Sequence, residues 1–381
     1  MDFFADSHKM YAIERMLCLV GLNVGKKQNK SNFISTLACL YQKLTVLWWM
    51  TFILCLIAKL VSSYNLDSLF IKERIIRSSF DGILFALWYV MMKRRKKITI
   101  LIHGMEFIAQ NLNGKINSSC VSLATILIFA LSLVGSLTLT LPVPEQYCQI
   151  MVKSQSAGLL DISKGNSCKI WYIMGFLDFI PKHVFFTAIC IFYIIICRFY
   201  RNLLMIHSKF ELEKEQLNFN DLRNYLLTYE RIGKGLNDFE KVMSLPIFII
   251  VMNDCLGILL GFMVIDPFNQ FLVTERRRAF IWVTLFTSLQ ALISLLCVSL
   301  AASSVADASK NAKNVQQEIL KRVHASTIQE KTELLLLVNK HKSPPFILSG
   351  GDCFFFSKGL VLTIFGNVLT FSLLILQLTS E

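Results

Sequence analysis

Charge is scarce in this sequence. Only 17% of its 381 residues are Asp, Glu, Lys or Arg, where a soluble domain carries about a quarter. Hydrophobic residues reach 54% and the mean hydropathy is +0.53. These values exclude an ordinary water-soluble globule and point to a polytopic membrane protein, whose thirty phenylalanines suit lipid-facing and helix-packing surfaces. Metal-ligand spacing, a phosphate-cradling loop and a nucleophile motif are all missing, so neither an enzyme nor a metal or cofactor is expected. Gly350-Gly351 is too short to hold phosphate and reads as a flexible entry to the stretch that follows. The net charge of +13 comes without a basic helix or stacking motif, which excludes nucleic acid as a partner. The opening MDFFADSHKM is polar, and Met16 to Leu22 is too short for a signal-peptide core, so the first span is expected to act as its own insertion signal. Internal repeats and helices broken at mid-membrane are absent too, which argues against a secondary transporter.

What is present is a set of seven apolar stretches long enough to cross a bilayer: 44–61, 76–92, 120–141, 171–197, 246–265, 279–300 and 358–378. The second is the weakest, with Arg77 and Asp81 near its start. The expected fold is therefore all-α, with seven transmembrane helices. Placing the N-terminus in the cytosol puts 27 of the 39 Lys and Arg residues inside and nine outside, with Lys59, Lys182 and Lys358 within spans or at their edges. The run Lys93-Arg94-Arg95-Lys96-Lys97 directly after span two obeys the positive-inside rule, whereas Arg276-Arg277-Arg278 opposes it. The orientation expected is N-terminus inside and C-terminus outside. The chain then divides into a cytoplasmic segment (1–43), six helices (44–300, with cytosolic helices in 198–245), a cytosolic helical segment (301–357), a last spanning helix (358–378) and an extracellular tail (379–381).

The cytosolic segments carry helical patterning. From Asp221 as N-cap, Leu222, Leu226, Tyr229, Leu236 and Phe239 form an apolar stripe. Beyond span six, Val305, Ala308, Ala312, Val315, Ile319 and Val323 continue another. Thr327 to Glu330 is a capping box for a further helix that Pro344-Pro345 stops. These helices could form a cytosolic bundle or lie on the membrane surface. His207, His324 and His341 have no paired ligand and read as solvated. Nine of the eleven cysteines fall in spans or on the cytosolic side, where thiols stay reduced. Cys148 and Cys168 share an external loop. A bridge there would close about 20 residues and contribute roughly 3 kcal/mol; spacing leaves the pair open to either state.

The last stretch, Gly359 to Leu378, holds no charge and spans about 30 Å as a helix. Its polar residues Thr363, Asn367, Thr370 and Gln377 step by four, three and seven, and Leu374 completes the series, so all five share one face. Unpaired polar groups in lipid cost several kcal/mol each. The stripe therefore faces either a water-lined pore or a neighbouring helix that hydrogen-bonds with it.

Ionisable groups within spans mark candidate sites. Asp81, Asp178, Lys182, His183 and Gln290 fall in the outer half of spans two, four and six, and Asp178 and Lys182 stand i,i+4, where they can pair. Trp171, Tyr172 and Trp282 lie near the outer interface. They either line a pocket or form an aromatic belt that anchors the helices. The candidate ligand contacts are Asp81, Trp171, Tyr172, Asp178, Lys182, Trp282 and Gln290. A pocket of aromatics with a few polar groups suits a small amphipathic organic molecule. Asp254, in the middle of span five, is expected to hydrogen-bond a neighbouring helix.

The C-terminal stretch resembles the signature of the arthropod gustatory receptor family, in which Thr-Tyr is followed by five mostly apolar residues and Gln-Phe. Here Thr370 and Gln377 match at the same spacing, with Phe371 and Leu378 replacing the Tyr and the Phe. Pro345-Phe346, Ser349-Gly350-Gly351 and Phe354-Phe355-Phe356 are similar to the family's lead-in, and the seven-span layout resembles it along the whole chain. The resemblance implies a subunit of a homo- or hetero-tetrameric, ligand-gated non-selective cation channel in the plasma membrane of gustatory neurons. The last helix would line a shared pore, the cytosolic bundle would anchor the four subunits, and a small-molecule tastant would bind among the outer halves of the helices. Sugar-sensing relatives tend to carry Glu after the Thr-Tyr pair; Ser372 stands there, favouring a bitter or contact-pheromone type. Leu374 is the expected gate, an apolar ring that closes by dewetting, with Gln377 hydrating cations one turn outward. The alternative is a G-protein-coupled seven-helix receptor, which would need an external N-terminus.

Overall fold

Each apolar stretch lies largely within one long helix. The computed structural model describes residues 13–22, 32–62, 68–111, 118–138, 145, 148–149, 152, 166–212, 219–265, 274–322, 330, 332, 336 and 344–379. Among them are seven long helices: α1 (Asn32–Ser62), α2 (Ser68–Asn111), α3 (Ser118–Thr138), α4 (Ser167–Leu212), α5 (Phe219–Ile265), α6 (Thr274–Arg322) and α7 (Leu360–Thr379). A two-stranded hairpin, β1 (Ser349–Gly350) with β2 (Phe354–Phe355), precedes α7, with Ser349 opposite Phe355 and Gly350 opposite Phe354. This is a seven-helix membrane-protein fold.

The bundle is apolar on its outside as well as in its core. Leu40, Leu44, Leu47 and Leu54 of α1, Ile126, Leu133 and Leu137 of α3, and Leu289, Ile293 and Leu300 of α6 all stand exposed. Such apolar belts suit hydrocarbon rather than water. The interior buries Ser132, Ser136, Lys182, Thr187, Asp254, Thr284 and Ser299. At the centre runs α4, where Val184, Phe185, Ile189, Phe192, Tyr193, Ile196 and Tyr200 are all buried. It packs against α3, α5 and α6, while α7 lies at the edge against α5 and α6. Small residues let α5 and α6 approach closely. Gly257 leaves 3.0 Å between an added methyl and Ala291 Cβ, and a methyl at Gly261 would collide with the Ser288 hydroxyl. That hydroxyl donates to the Gly257 carbonyl at 2.7 Å, the close packing that small-xxx-small spacing permits.

The extensions at the end assigned to the cytosol form a bundle. α5 runs 47 residues without a break through Pro246, so the amphipathic stripe from Leu222 and span five are one helix. It begins at Phe219, which places Asp221 in the first turn rather than at the N-cap. Leu222, Tyr225 and Leu226 pack against Val315 and Ile319 of α6. Tyr225 donates to the Ala312 carbonyl at 2.7 Å, and the Tyr229 and Ser309 hydroxyls stand 3.1 Å apart. Helices tied in this way through side chains and carbonyls are a packed unit. The capping residues Thr327, Ile328 and Gln329 lie outside the described residues, as do His324 and His341. Gly351 proves to be a docked residue rather than a flexible entry: its φ of +59° and its contact with Phe248 explain the glycine.

His207 is not solvated. Its Nε2 lies 3.1 Å from the Tyr225 carbonyl and its ring stacks on Tyr225 with centroids 4.3 Å apart. Burial pushes its pKa below the usual 6.5, against the opposing pull of that carbonyl. The unfolded chain therefore binds a proton more readily, so this contribution is complete above pH 6.5 and is lost as the pH falls below it. The thermal midpoint of the purified protein is expected to drop between about pH 7 and 5.5, and His207→Phe, which keeps the stack, is expected to remove part of that drop.

Candidate functional site

Lys182 lies within α4 directly after Pro181, whose missing N–H leaves the Leu177 carbonyl without its helical donor. The Lys182 ammonium reaches Asp81 Oδ1 of α2 at 2.6 Å and the Asp178 carboxylate, one turn earlier on α4, at 2.7 and 2.8 Å. It also stands 4.2 Å above the Phe52 ring of α1. Three helices thus meet on one cation. The side-chain exposures run from 7% for Lys182 through 19% for Asp81 to 40% for Asp178, so the cluster opens on the Asp178 side. Two carboxylates around one ammonium leave one unit of negative charge, and in a low-dielectric setting every such contact is strengthened. An aromatic wall backs the cluster. Trp49 stacks on Trp88 at 5.4 Å and meets Phe185 edge-on at 5.5 Å, and Trp48 stacks on Phe52 at 5.7 Å.

On the adjacent face of α4, His183 Nδ1 lies 3.0 Å from Gln290 Oε1, and Gln290 Nε2 donates to Thr187 Oγ1 at 3.1 Å. Phe179 stacks on His183 with centroids 3.7 Å apart. Gly135 of α3 lies against Phe179 and Phe286. This part of the bundle therefore holds two polar groups on adjacent faces of α4, both lined by aromatic rings. That arrangement can orient a small organic molecule through a few polar contacts within an apolar wall.

The remaining candidates fall elsewhere. Trp171 is buried beside Tyr172, at 5.2 Å between ring centroids, in a satellite cluster with Cys148 and Val152. Cys148 and Cys168 are joined in a disulfide, with their Cα atoms 4.8 Å apart. Trp282 is 57% exposed and turns outward, as an interfacial anchor does, rather than toward the polar groups. Asp254 is buried with Ser294 of the neighbouring helix α6 beside its carboxyl, and Ser294 Oγ also stands 3.4 Å from Cys190 Sγ.

The last helix divides cleanly. Leu360, Ile364 and Val368 pack on the core, and Phe365 meets Phe262 of α5 at 5.8 Å. Thr363, Asn367, Thr370 and Leu374 lie on the neighbouring face, about a quarter of a turn round the helix, and are exposed. The Thr363 and Thr370 hydroxyls donate to the Gly359 and Gly366 carbonyls at 3.1 and 2.8 Å, within their own helix. The Gln377 side chain lies outside the described set. The stripe is not used for packing within this chain.

Sequence reasoning anticipated the Asp178–Lys182 pair from its i,i+4 spacing. It missed Asp81 as the third member, because that contact spans 101 residues. Phe52, Trp49, Trp88 and Phe179 were also missed. The Trp48-Trp49 doublet was the one local hint.

No protein-family model matches the sequence, and no curated protein matches it. The fold does match. The structure of the insect olfactory receptor OR5 from Machilis hrabei in complex with eugenol is similar over 99% of this chain and 100% of that one, with a TM-score of 0.65 and 14% identity. A second structure of the same receptor matches over the same extents, with a TM-score of 0.64. At that identity the likeness is one of fold.

Removing the ammonium strands the part-buried Asp81 carboxylate while Asp178 stays open to solvent; breaking a fully buried pair from one side costs about 3–5 kcal/mol, which is the upper bound here. Lys182→Met is therefore expected to lower the thermal midpoint and surface expression sharply. The triple change Asp81→Asn, Asp178→Asn, Lys182→Met is expected to recover most of the loss. Wild-type stability in Lys182→Met alone would show that water screens the cluster.

Proposed function

We propose that this chain is a subunit of a ligand-gated, non-selective cation channel of the insect chemoreceptor type. We place it in the gustatory branch and assign it small organic tastants of the bitter or contact-pheromone kind. The observation that carries the reading is the division of α7. A helix at the edge of the bundle turns Thr363, Asn367 and Thr370 away from its own chain, toward surroundings that would be hydrocarbon in a lone subunit. Polar side chains in hydrocarbon are unfavourable, so the stripe calls for water and further subunits around an axis. A homo- or hetero-tetramer supplies both, with the extensions of α4, α5 and α6 as the cytosolic anchor.

The fold likeness to an insect olfactory receptor captured with eugenol supports a small-molecule ligand and does not favour the G-protein-coupled alternative. The gustatory assignment rests on Thr370, Gln377 and the lead-in from Pro345. The bitter or pheromone assignment rests on Ser372. The ligand would contact the Asp81–Lys182–Asp178 cluster or the His183–Gln290 group and shift α7, widening a constriction at Leu374. The chain would act in the plasma membrane of gustatory neurons.

Leu374→Ala is expected to raise the ligand-free current of cells expressing the chain several-fold. Gln377→Leu is expected to lower unitary conductance while leaving expression intact. Unchanged basal and evoked currents in Leu374→Ala would place the gate elsewhere.

A further inference from the structure

Pro246 sits within α5 at the end of the helix assigned to the cytosol. Lacking an N–H, it leaves the carbonyl of Val242, four residues earlier, without its helical donor. The replacement comes from another helix. Arg94 Nη1 of α2 donates to Val242 O at 2.6 Å and to Lys241 O at 2.9 Å. Arg94 belongs to the basic run that follows span two, yet its neighbours Lys93, Lys96 and Lys97 are exposed. A charge that serves only topology would be solvated like them.

The same turns of α5 hold the hairpin that leads to α7. Glu240 Oε1 accepts from Ser349 N–H at 3.0 Å and from its hydroxyl at 2.7 Å. Gly351 N–H donates to the Ser244 carbonyl at 3.0 Å, and Ser244 Oγ lies 2.9 Å from the same nitrogen. Ser349 is only 3% exposed. Residues 240 to 246 of α5 are thus held by α2 on one side and hold the lead-in to α7 on the other. Asp81 lies on the same α2 helix, thirteen residues before Arg94, or about 20 Å along the axis.

We propose that Arg94 is a positioning residue for gating. By capping the carbonyl freed by Pro246, it fixes the α5 backbone in the shape that presents Glu240 and Ser244 to Ser349 and Gly351. A shift of α2 at the ligand cluster then reaches α7 through Arg94, the Pro246 turn and the hairpin. The inference rests on the channel reading for its consequence and on geometry alone for the contact. It also carries a specific signature. Arg94 is needed because residue 246 is a proline, so Pro246→Ala, which restores the N–H, makes Arg94 dispensable.

The test is a double-mutant cycle on the full chain with Arg94→Met, Pro246→Ala and both together. Arg94→Met keeps the apolar stem and leaves four basic residues in the run to hold topology. Two readouts are used: amide hydrogen exchange of the 346–356 peptide in the purified protein, and ligand-free current in cells. Arg94→Met is expected to speed hairpin exchange about tenfold and to alter the basal current. In the Pro246→Ala background the same change is expected to alter exchange by less than about twofold. Unchanged hairpin exchange in Arg94→Met, or an equal effect in both backgrounds, would overturn the proposal. So would a conducting chain whose current ignores Arg94→Met. The expected exchange pattern in a chain that conducts in no variant would support the positioning contact and contradict the channel reading instead.

Discussion

In hydrocarbon a polar group without a partner costs several kcal/mol, and the architecture follows from where each such group finds one. Backbone groups are satisfied by helices, and two prolines break that rule at Pro181 and Pro246. The second break is repaired by a guanidinium from α2. The intramembrane charges of α2 and α4 are gathered onto Lys182, with both carboxylates within 2.8 Å. Thr363 and Thr370 satisfy their hydroxyls on their own helix. Asn367 is exposed on the same face, where water can serve it. Asp254 is a fully buried carboxyl whose polar neighbour is Ser294 of α6.

Packing turns these local solutions into one device. α4 is buried along most of its length, so it cannot shift without disturbing α3, α5 and α6. By contrast, α7 touches the bundle through one face and is tethered by a hairpin and by an exposed Lys358–Asp307 contact of 2.9 Å. An exposed pair contributes about 1 kcal/mol or less. The element that can move at least cost is therefore the one carrying the polar stripe, while the charged cluster sits among helices held firmly together.

Much of this was legible from one sequence, for physical reasons. Bilayer thickness fixes helix length, so all seven spans could be read, and an uncharged twenty-residue stretch exposed the periodic stripe of α7. The i,i+4 rule gave Asp178–Lys182. Long-range geometry was not legible. Asp81 joins the cluster from 101 residues away, and Arg94 meets Val242 across 148. The sequence divides a cytosolic helix in 198–245 from span five at 246, yet α5 runs straight through Pro246. The outward turn of Trp282 depends on the rotation of α6, which a uniformly apolar helix leaves unspecified.

The central claim is that the exposed face of α7 meets water along a conducting axis. Substituted-cysteine accessibility along that helix, with a membrane-impermeant thiol reagent and current as the readout, tests it most directly. The account expects modification and altered current at Thr363→Cys, Asn367→Cys and Thr370→Cys, and protection at Ile364→Cys and Val368→Cys. Protection of all three stripe positions, with or without an activating ligand, would put that face against lipid or protein and contradict the account.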